Sequence, residues 1–156
     1  MTNINTIDKK TLEAQYKEVL DGAVEACLWS TVPLSDDMGD QLTEFADEYE
    51  ISSEEMTKLR GTLSYFISDW FKENYELISK VVSETYSWGH VGHDFWLTSQ
   101  GHGAGFWDRG FEEAGDDLTD SVSGHSDIVG LYLNEEATHV HVDPYNVQDF
   151  NDKLFK

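Results

Sequence analysis

The sequence predicts an α+β fold in which N-terminal helices pack on a small antiparallel sheet of about four strands. Three observations carry that expectation. Apolar residues recur at helical spacing from Ile7 to Tyr86. After Trp88 the period changes, and a glycine-rich segment stands between two short apolar runs. Toward the C-terminus an apolar run and an alternating run lie one turn apart. At 156 residues the chain is one domain by size, with a helical part over about 7–86 and a hairpin, a helix and a second hairpin over about 89–143.

The first helix, Ile7 to about Trp29, follows from Leu12, Tyr16, Val19, Leu20, Ala23 and Cys27, with Thr6 or Asp8 as its cap. Pro33, Gly39 and the Asp36-Asp37 pair mark 30–40 as a loop, and Leu42, Phe45 and Tyr49 suggest a short helix over 42–49. Ser52 and Glu55 read as a capping box ahead of a long stripe that includes Met56, Leu59, Leu63, Ile67, Trp70 and Ile78. That helix would reach Tyr86. Its length of about 30 residues exceeds the usual range, so a break is expected near Asn74. Phe95 to Thr98 and Gly105 to Asp108 read as two strands around a turn at 99–104, where Gly101 and Gly103 can take positive φ. Phe111 to Val122 returns to a helix with Phe111, Ala114, Leu118 and Val122 as its buried edge. Ile128 to Leu133 suits an interior strand, 134–137 a polar turn, and Thr138 to Val142 a strand pairing antiparallel with the first. The stretch after Pro144 adds a last helical turn that docks Phe150, Leu154 and Phe155.

Composition excludes several functions. Twenty aromatic residues and a 39% hydrophobic content argue for a folded chain. With 31 acids against 10 bases the formal net charge is −21, which repels DNA and anionic membranes and points to partners with basic surfaces. No apolar run approaches the length of a membrane span, and MTNINTIDKK is no signal peptide, so the expectation is a soluble, unprocessed protein. The single cysteine, Cys27, rules out an internal disulfide and sits on an apolar stripe with no His or Lys near it in sequence, as a small buried hydrophobe would.

The segment Gly89 to Gly110 holds six of the twelve glycines, three of the six histidines and two Phe-Trp pairs. Within it, GHDFWLTSQGHGAGFWDRG closely resembles the signature of a family of small accessory proteins encoded by tailed bacteriophages. The resemblance extends to an ALWS-like run at Ala26, Leu28, Trp29 and Ser30 and to the Leu118-Thr119 pair, spanning roughly Ala23 to Val142. Family members often carry Arg-Asn where this chain has Ser99 and Gln100. The resemblance implies a phage protein made in the cytoplasm of an infected bacterium, and it implies no established activity.

Two chemistries are open to the segment. His90, His93 and Asp94 have ligand-like spacing, His102 would lie across the proposed hairpin, and His139 and His141 share one strand face, so a divalent transition metal such as zinc could be held in a small metal-dependent enzyme. Asp94, Asp108 and His102 could do acid-base work beside Arg109. Against both, no complete metal signature, GxSxG elbow, Walker A loop or GxGxxG fingerprint occurs. Arg109 is the only Lys or Arg from Val81 to Asp152, a span with 14 acids, so it is expected in an ion pair with Asp94 or Asp108.

The remaining signal is acidic. Asp36, Asp37, Asp40, Glu44, Asp47, Glu48, Glu50, Glu54 and Glu55 fall where no Lys or Arg occurs between Lys17 and Lys58. Exposed acids can imitate a phosphate array. The leading expectation is therefore a non-catalytic phage accessory protein without a cofactor, an acidic inhibitor or modulator of a host nucleic-acid-binding or defence protein, with those nine acids as the contact surface. The metal-dependent enzyme is the alternative.

Overall fold

The computed structural model describes residues 4–30, 50–101, 105–122, 129–133 and 139–144. The expected loop after Ser30, the helix at 42–49, the turn at 134–137 and the helical turn after Pro144 lie outside them. Five helices build the described core: α1 (Lys9–Ser30), α2 (Ser53–Glu73), α3 (Tyr75–Val81), α4 (Trp88–Ser99) and α5 (Glu113–Ser121).

Local chemistry sets most helix ends. The Asp8 carboxylate accepts the Thr11 N–H at 3.2 Å, which caps α1. Ser52 Oγ accepts the Glu55 N–H at 3.1 Å and starts α2. The expected break falls at Asn74, whose side-chain amide and backbone N–H both turn back to the Trp70 carbonyl, at 2.9 and 3.0 Å. The long helix ends at Val81, not Tyr86, because Ser83 and Tyr86 bond each other's backbone in a turn. A second cap then starts α4: Ser87 Oγ accepts the His90 N–H while His90 Nδ1 accepts the Ser87 N–H, at 3.2 and 2.9 Å.

The α+β expectation is wrong. Helix-on-helix packing makes the core, and the hairpin expected over 95–108 is α4 followed by a 3-10 turn at Phe106–Asp108. In place of about four antiparallel strands, the described pairing is a three-stranded ribbon in the order β1 (Glu50–Ile51), β3 (His139–Pro144), β2 (Val129–Leu133), with β1 parallel to β3. β2 and β3 pair antiparallel with Tyr132 opposite His141, and β3 lies along α2.

Why a segment with two glycines folds as a helix is clear from what it crosses. A Cβ on Gly92 would overlap the Val19 carbonyl, and one on Gly22 would overlap the Gly89 carbonyl. The backbones of α1 and α4 therefore meet almost directly. Each helical glycine costs about 1 kcal/mol of propensity relative to alanine. Close packing of Val19, Ala23, Val91 and Phe95, all fully buried, offsets it. Gly101, at φ 66°, then stops α4 in the left-handed region.

Aromatic rings fill the space between α2 and the later elements. The Trp70 ring lies 4.7 Å from Phe95 and 5.9 Å from Phe106, and its Nε1–H donates to Ser121 Oγ at 2.8 Å, tying α2 to the end of α5. Trp88 stacks on Tyr75 at 5.7 Å. α5 presents Leu118 and Val122 to the core, with Phe111 and Ala114 half-buried beside them.

The two glycines of α4 should respond differently to a methyl group. Gly92→Ala forces the helices apart and should cost about 3 kcal/mol or prevent folding. A Cβ on Gly89 meets only ordinary contacts, at 3.5 Å or more, so Gly89→Ala should be neutral or stabilising by up to about 1 kcal/mol. Urea unfolding of both variants checks the contrast.

Candidate functional site

The glycine-rich segment is organised by one buried carboxylate. Asp94, on α4, is only 1% exposed. Arg109, just after the 3-10 turn, grips it with two bonds, Nε–H to Oδ2 at 2.8 Å and Nη2–H to Oδ1 at 2.6 Å. The Tyr86 hydroxyl donates to Oδ2 at 2.6 Å. A bidentate guanidinium and a phenol together satisfy the carboxylate, as its burial demands. The expected ion pair of Arg109 is thus with Asp94, and not with the exposed Asp108.

Electrostatics follow from that geometry. Burial, and then the adjacent Asp94 charge, push the Tyr86 phenol far above its ordinary range, so it stays a neutral donor. The bond to Asp94 raises the Arg109 guanidinium pKa further. His93 is half-buried, and burial lowers its imidazole pKa against the opposing pull of Asp94 and Glu25.

Beside this network lies an open groove of about 570 Å³ between α1 and α4. Glu18, Asp21 and Glu25 form its α1 wall, and His90, His93 and Arg109 the other. His90 and His93 do come together here, one helical turn apart. Of the described members of the metal set, only His90 and His93 line the groove. His90 Nδ1 accepts the Ser87 N–H, both Asp94 oxygens are bonded to Arg109 or Tyr86, and His102 lies outside the described residues. Among the described residues no three His, Cys, Asp or Glu side chains converge on a metal position. His139 and His141 fall on β3. The same bonds occupy the carboxylate proposed for acid-base work.

The acidic surface divides in a similar way. Of the nine acids between Asp36 and Glu55, those from Asp36 to Glu48 lie outside the described residues, and Glu50 falls in β1. Glu54 is exposed in the first turn of α2. Glu55 is no free surface acid: it is buried and pairs with Lys58 at 3.1 Å. The described residues hold a denser array on α5. There Glu113, Asp116, Asp117 and Asp120 are all exposed at spacings i, i+3, i+4 and i+7, which places them on one face.

Three features lie beyond the sequence expectations. The α5 stripe is legible in its i, i+3, i+4, i+7 spacing, whereas the expectation for that helix concerns only its apolar edge. A helix running to Tyr86 leaves no role for its hydroxyl, which the turn at 83–86 brings to Asp94. Nothing in the sequence marks Trp107 as outward-facing while Phe106 beside it is fully buried.

No family model, curated protein or solved structure matches the chain. Among the described residues no helix is long and apolar enough to cross a membrane.

Two predictions follow from the network. Arg109→Met leaves a buried carboxylate with one partner and should cost about 2–3 kcal/mol, below the loss expected for a fully buried pair because the Arg109 side chain is 38% exposed and water screens it. Arg109→Lys should recover only part of that, since an ammonium cannot bond both oxygens in the fork geometry. Denaturant midpoints of the two variants decide it. For His93 the folded-state pKa lies below the unfolded value of 6.5, so the folded chain resists the proton that the unfolded chain accepts. Stability should be fully present above about pH 6.5 and decline as the pH falls below it. His93→Gln should flatten that decline in melting curves taken above the carboxylate range.

Proposed function

We propose that the protein is a non-catalytic binding protein that presents an acidic face to the basic surface of a protein partner, in imitation of a nucleic-acid backbone. The observation that carries this reading is the α5 stripe. Its four acidic positions step along the helix axis by about 4.5, 1.5 and 4.5 Å, a mean of about 3.5 Å over about 10.5 Å. A single strand of duplex DNA carries one phosphate per about 3.4 Å of axis.

The stripe has a cost that its own helix does not offset. Like charges at i+3 and i+4 destabilise a helix by about 0.2–0.5 kcal/mol per pair. Asp120 adds to this at the negative end of the helix dipole, although Glu113 is well placed at the positive end. α5 contains no Lys or Arg. The acids of α1 are treated differently, with Lys9 beside Glu13, and Lys17 and Arg60 both on Asp21. An array with no ion pair among the described residues suits a surface whose counter-charges come from another molecule.

The resemblance to accessory proteins of tailed phages supports a host protein as that partner, a nucleic-acid-binding or defence protein that the chain inhibits or modulates in the bacterial cytoplasm. Direct binding to nucleic acid has no support in a chain of net charge −21. Exposed Glu54, with the acids of 36–48, would extend the contact surface.

The test uses the heparin-binding fraction of a bacterial lysate passed over immobilised protein. The wild-type chain should retain a discrete protein that duplex DNA displaces, with retention falling steeply between about 50 mM and 200 mM salt. Neutralising the stripe (E113Q, D116N, D117N and D120N together) should reduce retention at least tenfold. Equal retention by the neutralised variant, or insensitivity to salt and DNA, would rule the reading out.

A further inference from the structure

Trp107 is 53% exposed, and the only other large hydrophobic side chain as open among the described residues is Tyr65, which stands on the regular face of α2 with its ring edge-on to Phe66. A single exposed aromatic residue is ordinary. What distinguishes Trp107 is how the chain holds it. On its N-terminal side Phe106 is fully buried against Trp70, and the Phe106 N–H donates to Thr98 Oγ1 at 3.3 Å. A Cβ at Gly105 would overlap that same hydroxyl, so the turn starts hard against α4. Two residues past Trp107, Arg109 is fixed on Asp94 by its two bonds. The turn is then packed on α5, where a Cβ at Gly115 would stand 2.9 Å from the Phe106 carbonyl.

The backbone that leads from this turn into α5 is strained. Gly110 has φ 78°, and Glu112 has φ 57° with ψ −128°, the single positive φ outside glycine among the described residues. A conformation that suits glycine is here occupied by glutamate, between the Trp107 turn and the acidic helix. Exposed Asp108 and Glu112 border the indole in sequence, so the chain around Trp107 is acidic except for Arg109, whose charge Asp94 already neutralises.

We propose that Trp107 is the aromatic anchor of the acidic interface, and that an arginine or lysine side chain of the basic partner stacks on its indole face. The proposal rests on the binding function argued above and adds its point of attachment. A cation over an indole is attracted by the ring quadrupole, and indole is the best of the protein rings for this. The acidic surroundings draw the same cation in, so one partner chemistry satisfies both features. A rigid aromatic residue loses little conformational freedom on binding, which is why tryptophan is enriched among the residues that dominate interfaces. The buried Asp94 network supports the turn that carries the ring, through the two bonds of Arg109.

The test repeats the retention experiment with the same heparin-binding fraction, using W107F, W107L and W107A beside the wild type and the four-fold α5 variant. Because the side chain is outside the core, the three variants should melt within a few degrees of the wild type, which separates lost binding from lost folding. Retention should fall at least tenfold in W107A and W107L and by less in W107F, which keeps a ring face. Wild-type retention by W107A overturns the anchor while leaving the acidic reading intact, provided the α5 variant still loses the partner. Wild-type retention by W107L overturns cation stacking, since leucine keeps the apolar bulk without the ring. Absence of retention by the wild-type chain removes both.

Discussion

Where α1 crosses α4, neither Gly22 nor Gly92 leaves room for a Cβ, so the two backbones meet in direct contact. That contact decides much of what lies downstream. It brings α4 onto the buried face of α1, with Val91 and Phe95 reaching the same core as Val19 and Ala23. It also sets the depth of Asp94, which a wider helix separation would leave in water. From there the order of dependence runs outward: Asp94 holds Arg109, and Arg109 with buried Phe106 holds the turn that carries Trp107.

The ion pair is a poor candidate for a stability device. Taking a carboxylate to 1% exposure costs several kcal/mol before its partners repay it, and an apolar residue of similar shape would often do as well. Its value lies in geometry. Two parallel bonds from a guanidinium fix both position and orientation, and the Tyr86 hydroxyl adds a third on Oδ2, so a slipped register would strand a buried charge. A loop of small and polar residues is thereby given one arrangement. Three of the roughly four acceptor sites of Asp94, two on Oδ2 and one on Oδ1, are thereby committed within the protein.

Particular residues show how far the sequence could be read. Asp8 as a cap, the break at Asn74 and the apolar edge of α5 were legible because each rests on interactions within one or two turns of chain. The hairpin assigned to 95–108 failed for the opposite reason. Glycine at 89, 92, 101, 103 and 105 resembles a sequence of turns when only local propensity is weighed. Two of those positions in fact serve helix packing: Gly92 makes room for the Val19 carbonyl, and Gly89 contributes the carbonyl that excludes a Cβ on Gly22, a residue 67 positions earlier. No local pattern encodes that partner. Arg109 was expected to pair, yet the choice of Asp94 over the neighbouring Asp108 depends on burial, which the sequence does not display.

The charge of the chain is best understood as two populations. Some acids of the packed helices are paired: Asp21 lies between Lys17 and Arg60, Glu55 bonds Lys58, and Asp94 bonds Arg109. Acids on the outer face of α5 enter no ion pair among the described residues. Lys9, Lys17 and Lys58 pair within their own helix, and Arg60 and Arg109 reach acids of another element, whereas α5 has no Lys or Arg. Self-repulsion is therefore concentrated in the one element whose opposite face is anchored by Leu118, Val122 and the bond from Trp70 to Ser121. The scaffold thus bears its local repulsion on a helix held from its buried side, next to the turn that displays the Trp107 indole.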